Sequence, residues 1–317
     1  MSNIILYGSG LFGRNLPAAN QTQLLAIQNS GFTTVILWSL HVWNNGDLVY
    51  NNSVIATNGE FVNQYSYLPD LINQMKTGGT VTKVLISIGS GGASDFAAIQ
   101  TLLSTPDGER ILQKNFGALV TALPIDGFDF DLEEAPLCNF TTTVVNLALM
   151  LNNLFGMEIT FCPYYNPPCG PNQTFWENCL AQIYQRNNNT QIVSWYNLQC
   201  YAGGSSNNPI TWVQTIQNYP QPLGIANPAA FVIPGYWCAN PGTNCAALQM
   251  NGVYCPSGLQ QQFNTLAHGG GDPGIDGGFI WNSADIFSCA DAAGCAGESV
   301  QPQDYAGAII NGLAGPG

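Results

Sequence analysis

Five acidic side chains fall within nine consecutive positions of a chain that has few charges elsewhere. They are Asp126, Asp129, Asp131, Glu133 and Glu134. In a β-strand successive side chains point to opposite faces, so Asp129, Asp131 and Glu133 share one face. Carboxyl groups held this close resist ionising together, which raises the pKa of at least one of them. A carboxyl with a raised pKa is suited to general acid catalysis near neutral pH.

Two other interpretations of this segment stay open on the residues alone. Alternating carboxylates could supply oxygen ligands to Mg²⁺ or Ca²⁺. They could also belong to a solvated edge strand, although Phe128 and Phe130 on the opposite face call for burial. Glu133 stands nearest to the C-terminal end of the strand, where barrel enzymes keep their catalytic groups. We therefore favour catalysis by Glu133 with Asp131 and Asp129, without a metal ion or other cofactor.

The rest of the chain alternates short, apolar, β-branched segments with amphipathic ones. Strands are predicted at residues 4–7, 34–39, 83–89, 127–133, 158–164, 192–201, 230–235 and 277–281. Helices are predicted at residues 22–30, 94–103, 109–123, 141–155, 172–187, 211–218, 259–268 and 303–313. Continuous apolar strands indicate a buried parallel sheet. Eight such units in 317 residues predict one α/β domain over residues 1–317, a (β/α)8 TIM barrel without a large α+β insertion.

The composition excludes several classes of function. Six Lys and Arg against 19 Asp and Glu leave a net charge of −13, so we expect no binding to nucleic acid or to an anionic membrane. No run approaches the roughly 18 apolar residues that would cross a bilayer. Aromatic residues make up 11% of the chain, which is enough for a packed core and argues against disorder.

The ten cysteines bear on the compartment. Several share loop-like contexts at short separations, as in Cys169 with Cys179 and Cys289 with Cys295. This spacing predicts local disulfides and therefore an oxidising, extracellular environment. Cys162 and Cys200 lie inside strand-like runs and fit buried, reduced thiols instead. The chain starts without the basic segment of a secretory signal peptide, so we expect either that the signal was removed or that export uses another route.

The acidic segment carries a resemblance to a known family. Residues 126–133 read Asp-Gly-Phe-Asp-Phe-Asp-Leu-Glu, which matches the Asp-x-x-Asp-x-Asp-x-Glu signature of glycoside hydrolase family 18, the chitinases and related endoglycosidases. Four more segments resemble strands of that family, namely residues 83–92, 159–163, 197–201 and 277–281. Residues 159–163 are similar to the fifth strand of the family, and residues 197–201 are similar to the sixth strand of its hevamine-like and microbial members. The resemblance spans nearly the whole chain.

This resemblance implies a retaining, endo-acting chitinase that uses no protein nucleophile. Glu133 would protonate the glycosidic oxygen, while the 2-acetamido carbonyl of the substrate attacks the anomeric carbon to give an oxazolinium intermediate. Asp131 would hydrogen bond to the acetamido N–H, and Asp129 would share a proton with Asp131. Tyr201 would donate its hydroxyl to the acetamido oxygen, and Trp281 would form an apolar floor under the sugar.

Further contacts and two alternative functions complete the prediction. Gln199 shares a strand face with Tyr201 and would touch the same acetamido group, whereas Tyr7 and Tyr164 would line the groove. The partner would be chitin or N-acetylglucosamine oligosaccharides, bound by a monomer. An endo-β-N-acetylglucosaminidase acting on N-glycan cores would use the same acids. A catalytically silent chitin-binding lectin is the alternative from another class, and the presence of Glu133 argues against it.

Overall fold

The computed structural model describes residues 2–14, 16–245, 252–269, 274–290 and 294–315. Its centre is a closed barrel of parallel strands. They are β1 (Asn3–Ser9), β2 (Thr34–Val42), β3 (Lys83–Gly89), β4 (Gly127–Asp131), β5 (Glu158–Phe161), β6 (Val193–Gln199), β7 (Val232–Trp237) and β8 (Gly277–Trp281). Each strand pairs with the next along the chain, and β8 pairs with β1 to close the ring. The predicted (β/α)8 barrel is therefore confirmed.

Helices connect the strands. They are α1 (Pro17–Gln28), α2 (Leu68–Met75), α3 (Asp95–Leu103), α4 (Pro106–Ala122), α5 (Thr141–Phe155), α6 (Phe175–Arg186), α7 (Pro209–Gln217), α8 (Pro228–Phe231), α9 (Pro256–His268), α10 (Ser283–Cys289) and α11 (Pro302–Ala314). Several begin earlier than predicted, because a proline starts the first turn, where its missing N–H costs nothing. The prediction missed α2, α8 and α10, which span too few turns for periodicity to reveal them. No helix in the described ranges has both the length and the apolar character that a membrane crossing needs.

An antiparallel extension beyond β2 was also not predicted. Three short strands follow it, at Leu48–Tyr50, Ser53–Thr57 and Glu60–Phe61. The first turn is Asn51-Asn52 and the second is Asn58-Gly59, and all four residues have positive φ angles, between 47° and 80°. Two such residues in succession form the tight turn that suits a β-hairpin, so Asn58-Gly59 was a readable signal.

Strand β4 shows how the sequence separates its two faces. On the outer face, Phe128 packs edge-on against Phe116 of α4 at 5.4 Å, and Phe130 packs against Phe96 of α3 at 5.8 Å between ring centroids. Both strand phenylalanines are fully buried. The alternation that was predicted from the sequence is therefore present, and it turns Asp129 and its odd-numbered neighbours into the barrel.

Three disulfides link loops around the barrel, and their pairing differs from the prediction. The bonds are Cys138–Cys169, Cys245–Cys289 and Cys255–Cys295. The expected pairs Cys169–Cys179 and Cys289–Cys295 are wrong, because α6 turns Cys179 into the core and chain folding brings more distant loops together. Cys162 and Cys200 are buried free thiols, as predicted. Between β7 and β8 the described residues form α9 and a 3-10 turn at Pro241–Thr243, with no inserted sheet.

Replacing both Cys245 and Cys289 with Ala is expected to lower the free energy of unfolding substantially. The bond joins residues 44 apart in sequence, so its loss should cost about 3–4 kcal/mol by releasing the unfolded chain. Urea unfolding of the double variant measures this. Cys200→Ala, which removes a buried free thiol, is the control, and an equal loss in both variants would contradict the assignment of the bond.

Candidate active site

The predicted carboxyl groups meet at the carboxyl end of the barrel. Asp129 and Asp131 lie on the inner face of β4, and Glu133 follows two residues beyond the strand. In the register of the barrel, Ser87 of β3 stands beside Asp129 on one side and Thr160 of β5 on the other. The strand pairing therefore surrounds the acids with inward-facing polar side chains.

Asp129 is fully buried and accepts four hydrogen bonds. Its Oδ2 receives the Tyr7 hydroxyl at 2.9 Å and the Ser87 hydroxyl at 2.8 Å. Its Oδ1 receives the Thr160 hydroxyl at 2.7 Å and the Asn197 amide at 2.9 Å. Burial raises the pKa of Asp129, while these four donors oppose the rise. Four bonds saturate the lone pairs of a carboxylate, so the metal-ligand interpretation does not fit Asp129.

Asp131 lies one step nearer to the mouth and is held from two sides. The Trp38 indole N–H donates to its Oδ2 at 3.0 Å, and the Gln199 amide donates to its Oδ1 at 3.1 Å. The same Gln199 nitrogen lies 3.2 Å from Glu133 Oε1, so it bridges the two carboxyl groups. Burial raises the pKa of Asp131 well above its usual range, and the neighbouring Glu133 adds to the rise.

Glu133 is the member of the acidic triplet that reaches the open side. Asp129 and Asp131 are 0% and 3% exposed, whereas Glu133 is partly exposed. The loop after β3 passes close to its carboxyl group: a Cβ added to Gly91 would lie 3.0 Å from Glu133 Oε2. A side chain in place of Gly91 would therefore push against this carboxyl.

The two remaining acids of the segment have structural contacts. Asp126 pairs with Lys76, whose Nζ lies 2.6 Å and 2.8 Å from its two oxygens. Glu134 accepts the backbone N–H groups of Phe96 at 2.6 Å and Ala97 at 3.1 Å, in the first turn of α3. Free N–H groups at a helix N-terminus favour such an anion.

Aromatic rings form one wall beside Asp131. The Trp281 ring lies perpendicular to Trp38, with 4.7 Å between centroids, and nearly parallel to Tyr201, at 6.2 Å and 15°. Both tryptophans are partly exposed, so their rings face the mouth. The Tyr201 hydroxyl forms no hydrogen bond with any of the described residues. Burial raises the pKa of Tyr201, and the nearby carboxyl groups of Asp131 and Glu133 add to the rise. Among the described residues, this donor next to the acids therefore has no acceptor.

Of the three further residues that were expected to contact substrate, Tyr7 is enclosed in the barrel, Gln199 lies beside the acids and Tyr164 is at the mouth. Tyr7 is 0% exposed, so its ring offers no face to a sugar; its hydroxyl instead holds Asp129. Gln199 is occupied by Asp131 and Glu133. Tyr164 is partly exposed. Burial raises its pKa, and the nearby carboxyl group of Glu133 adds to the rise.

Comparisons with known proteins bear on this architecture. Neither a protein-family model nor a curated protein matches the chain. Among solved structures, a fungal endo-β-N-acetylglucosaminidase of glycosyl hydrolase family 18 is 18% identical with a TM-score of 0.62, over 99% of this chain and 98% of that one. The chain has the family 18 fold.

Two chitinases with this fold are similar over the same extent. The family 18 chitinase ChiB of Flavobacterium johnsoniae is 15% identical, with a TM-score of 0.57 over 98% of this chain and 94% of that one. A mutant plant class V chitinase from Cycas revoluta, solved in complex with (GlcNAc)3, is 12% identical, with a TM-score of 0.62 over 97% and 99%. At these identities the likeness concerns the fold.

Sequence reasoning assigned no contact with the acids to four residues that make one. They are Trp38, Ser87, Thr160 and Asn197. A signal existed for Ser87, which is the single polar residue among the apolar residues 84–88 of β3. Thr160 and Asn197 share their strands with other polar residues, so they stand out less. Trp38 gave no comparable signal, since one tryptophan among seven is not distinguished by its type.

Proposed function

We propose that the protein is a retaining glycoside hydrolase of family 18 that cleaves β-1,4-linked N-acetylglucosamine polymers within the chain. The observation that carries the proposal is the graded row of carboxyl groups at the barrel mouth. Asp129 is held by four hydrogen bonds, and Asp131 is buried with a raised pKa. Glu133 is partly exposed and is bridged to Asp131 by the Gln199 amide. The acidic signature and the shared fold support the same assignment.

Glu133 would act first as an acid and then as a base. It protonates the glycosidic oxygen while the substrate's acetamido oxygen bonds to the anomeric carbon and the glycosidic bond breaks. The ionised Glu133 then takes a proton from water, which opens the oxazolinium ring from the opposite side. Two inversions give net retention, so a single exposed carboxyl serves both steps.

Asp131 would stabilise the positive charge that develops on the acetamido nitrogen. The carboxyl groups of the row are not all ionised at once, because neighbouring carboxyl groups this close share protons. When substrate binds, the proton of Asp131 can pass to Asp129, which leaves an anion beneath the acetamido group. Asp129 can receive that proton because burial raises its pKa. Three of its four donors are hydroxyl groups, one of which can turn and accept from the protonated carboxyl.

Tyr201 and Trp281 would orient the acetamido group and the sugar. The Tyr201 hydroxyl has no partner among the described residues and lies next to the acids, so it can donate to the acetamido oxygen. Trp281 and Trp38 present partly exposed rings on which a sugar face can stack. Holding the attacking oxygen in line in this way removes much of the entropic barrier.

We further propose endo action in an oxidising compartment. The described residues between β7 and β8 add no sheet to wall off the groove, which favours access to internal bonds. Three disulfides fit an extracellular protein.

Digestion of chitin hexamer, with the products and their anomers followed by NMR, tests the proposal. We expect internal cleavage and fresh reducing ends in the β configuration. Fresh α ends, or release of single sugars only, would contradict it. A parallel digestion of an N-glycoprotein tests the endo-β-N-acetylglucosaminidase alternative, which the similarity to the fungal enzyme of that type favours. Release of glycan without cleavage of the hexamer would show that the substrate is an N-glycan and not chitin.

Tyr7→Phe is expected to move the acid limb of the kcat–pH profile to higher pH. Loss of one donor raises the pKa of Asp129 further. Asp129 and Asp131 therefore take up a second proton at higher pH, and with both protonated no anion faces the acetamido group. A hydrogen bond to a charged group contributes roughly 1.5–3 kcal/mol, and one pKa unit corresponds to about 1.4 kcal/mol, so we expect the acid limb to move up by about one to two pH units. Tyr50→Phe removes an equally buried donor, to Leu11 O, far from the acids. A profile that shifts equally in both variants, or in neither, would contradict this role of Tyr7.

A further inference from the structure

Strand β2 is irregular at the point where it delivers Trp38 to the site. Its pairing with β3 runs from Leu37 opposite Ile86 to Leu40 opposite Ile88, so residues 38 and 39 together oppose one residue. An extra residue of this kind leaves part of the ladder unpaired and re-aims the side chains around it. On the β3 side, the sheet alone therefore does not fix the backbone that carries the Trp38 indole.

A chain of side-chain hydrogen bonds spans this bulge. The Ser39 hydroxyl lies 3.2 Å from His41 Nε2, and His41 Nδ1 lies 2.9 Å from Asp95 Oδ2. The other Asp95 oxygen accepts the backbone N–H of Val42 at 2.7 Å. Asp95 is 4% exposed and is the first residue of α3. The residues just after Trp38 are thus fastened to the N-terminus of a helix.

The same helix end is fastened to the strand that carries the acids. Glu134, next to Glu133, accepts the N–H groups of the two residues that follow Asp95. One turn of α3 therefore contacts both the end of β2, which bears Trp38, and the end of β4, which bears the carboxyl row. It is placed to set the separation of the indole N–H from Asp131.

Ser39, His41 and Asp95 also follow the order of a nucleophile, a base and an orienting carboxylate in serine hydrolases. Ser39 is only 6% exposed, and the open groove beside it is lined by His41 and Asp95 but not by Ser39. A substrate in that groove would meet the base without meeting the nucleophile. The arrangement therefore favours a structural task over acyl transfer.

We propose that Asp95, His41 and Ser39 are positioning residues that hold the Trp38 indole on Asp131, an inference that rests on the proposed function. They touch no reacting atom. Their contribution is to keep one of the two donors of Asp131 in place while that carboxyl gains and loses its charge. Without them the Trp38 indole moves, and Asp131 is held by Gln199 alone.

The test combines hydrogen exchange of the Trp38 indole N–H with steady-state kinetics. In Asp95→Ala and His41→Phe we expect the indole N–H, assigned by its loss in Trp38→Phe, to exchange at least about tenfold faster. We expect kcat on chitin hexamer to fall about tenfold with KM changed less than about twofold, because the lost contact matters most when charge develops. Asp95→Asn should restore both, since its amide still accepts from Val42 and can donate to His41 Nδ1. Asp70→Ala, which removes an exposed first-turn acid of α2, is the matched control.

A double-mutant cycle completes the test. If His41 acts through Trp38, then His41→Phe lowers kcat in the wild type but has no further effect in Trp38→Phe. Additive losses, or unchanged indole exchange in a folded His41→Phe variant, would overturn the proposal. Hydrogen exchange decides the positioning role even if the protein cleaves no N-acetylglucosamine polymer, so its outcome stays separate from that of the proposed function.

Discussion

Glu133→Gln is expected to abolish nearly all turnover of chitin oligosaccharides while their binding remains. The amide is nearly the same size, so the Gln199 contact and the groove next to Gly91 are kept. It can neither protonate the leaving oxygen nor take a proton from water, and each role is worth roughly 10²–10⁴ in rate. We therefore expect kcat to fall by at least about 10⁴, because both steps use this group. Calorimetric titration with chitin tetramer checks that binding persists.

The control for this variant is Glu109→Gln, which makes the same change on the exposed face of α4. Its kcat should stay at the wild-type value. A Glu133→Gln enzyme that keeps more than a few per cent of activity would show that another group is the acid. A variant that loses binding together with turnover would show that Glu133 shapes the groove instead.

Asp131→Asn is expected to lose activity and to gain stability at neutral pH. The neutral amide cannot stabilise the positive charge on the acetamido nitrogen, and losing one such electrostatic contact costs about 10²–10³ in kcat. Stability moves the other way because the pKa of Asp131 is raised in the folded state. Such a group contributes stability below its unfolded pKa and loses that contribution as pH rises through its folded value. Replacing the carboxyl with a neutral amide therefore restores the folding stability that the wild type loses at neutral pH.

Thermal unfolding at two pH values measures the stability side of this prediction. Asp131→Asn should exceed the wild type in Tm at pH 7, and the difference should shrink toward pH 4 as the wild-type carboxyl becomes protonated. Asp126→Asn is the matched control, because this acid at the start of β4 pairs with Lys76. We expect it to keep full activity and to gain no stability. A lower Tm for Asp131→Asn at pH 7 would contradict the raised pKa of this buried carboxyl.

The sequence was sufficient for features that depend on neighbours along the chain. Alternation within one strand separated Asp129, Asp131 and Glu133 from Phe128 and Phe130, and strand-like surroundings identified the buried thiols. Eight apolar strands separated by helices were enough for the barrel. These properties follow from local periodicity and burial, which a single sequence records.

Features that depend on closing the barrel could not be predicted. Tyr7 and Asp129 are 122 positions apart, and closure of the barrel, in which β1 pairs with both β2 and β8, brings the tyrosine across to the carboxyl. The disulfides likewise join residues 31 to 44 positions apart, which spacing alone could not reveal. Gln199 was predicted to contact the acetamido group of the substrate, and its bridge between Asp131 and Glu133 was not foreseen.

Participation of the substrate's own acetamido group is the central claim, and inhibition by a chitobiose-derived thiazoline tests it most directly. This compound copies the fused five-membered ring of the oxazolinium intermediate and cannot be opened by the enzyme. We predict competitive inhibition with an affinity at least about 10²-fold above that of chitobiose, since stable mimics of a reaction intermediate bind far more tightly than products. Equal affinity for the two compounds, in an enzyme that cleaves chitin hexamer, would contradict substrate assistance.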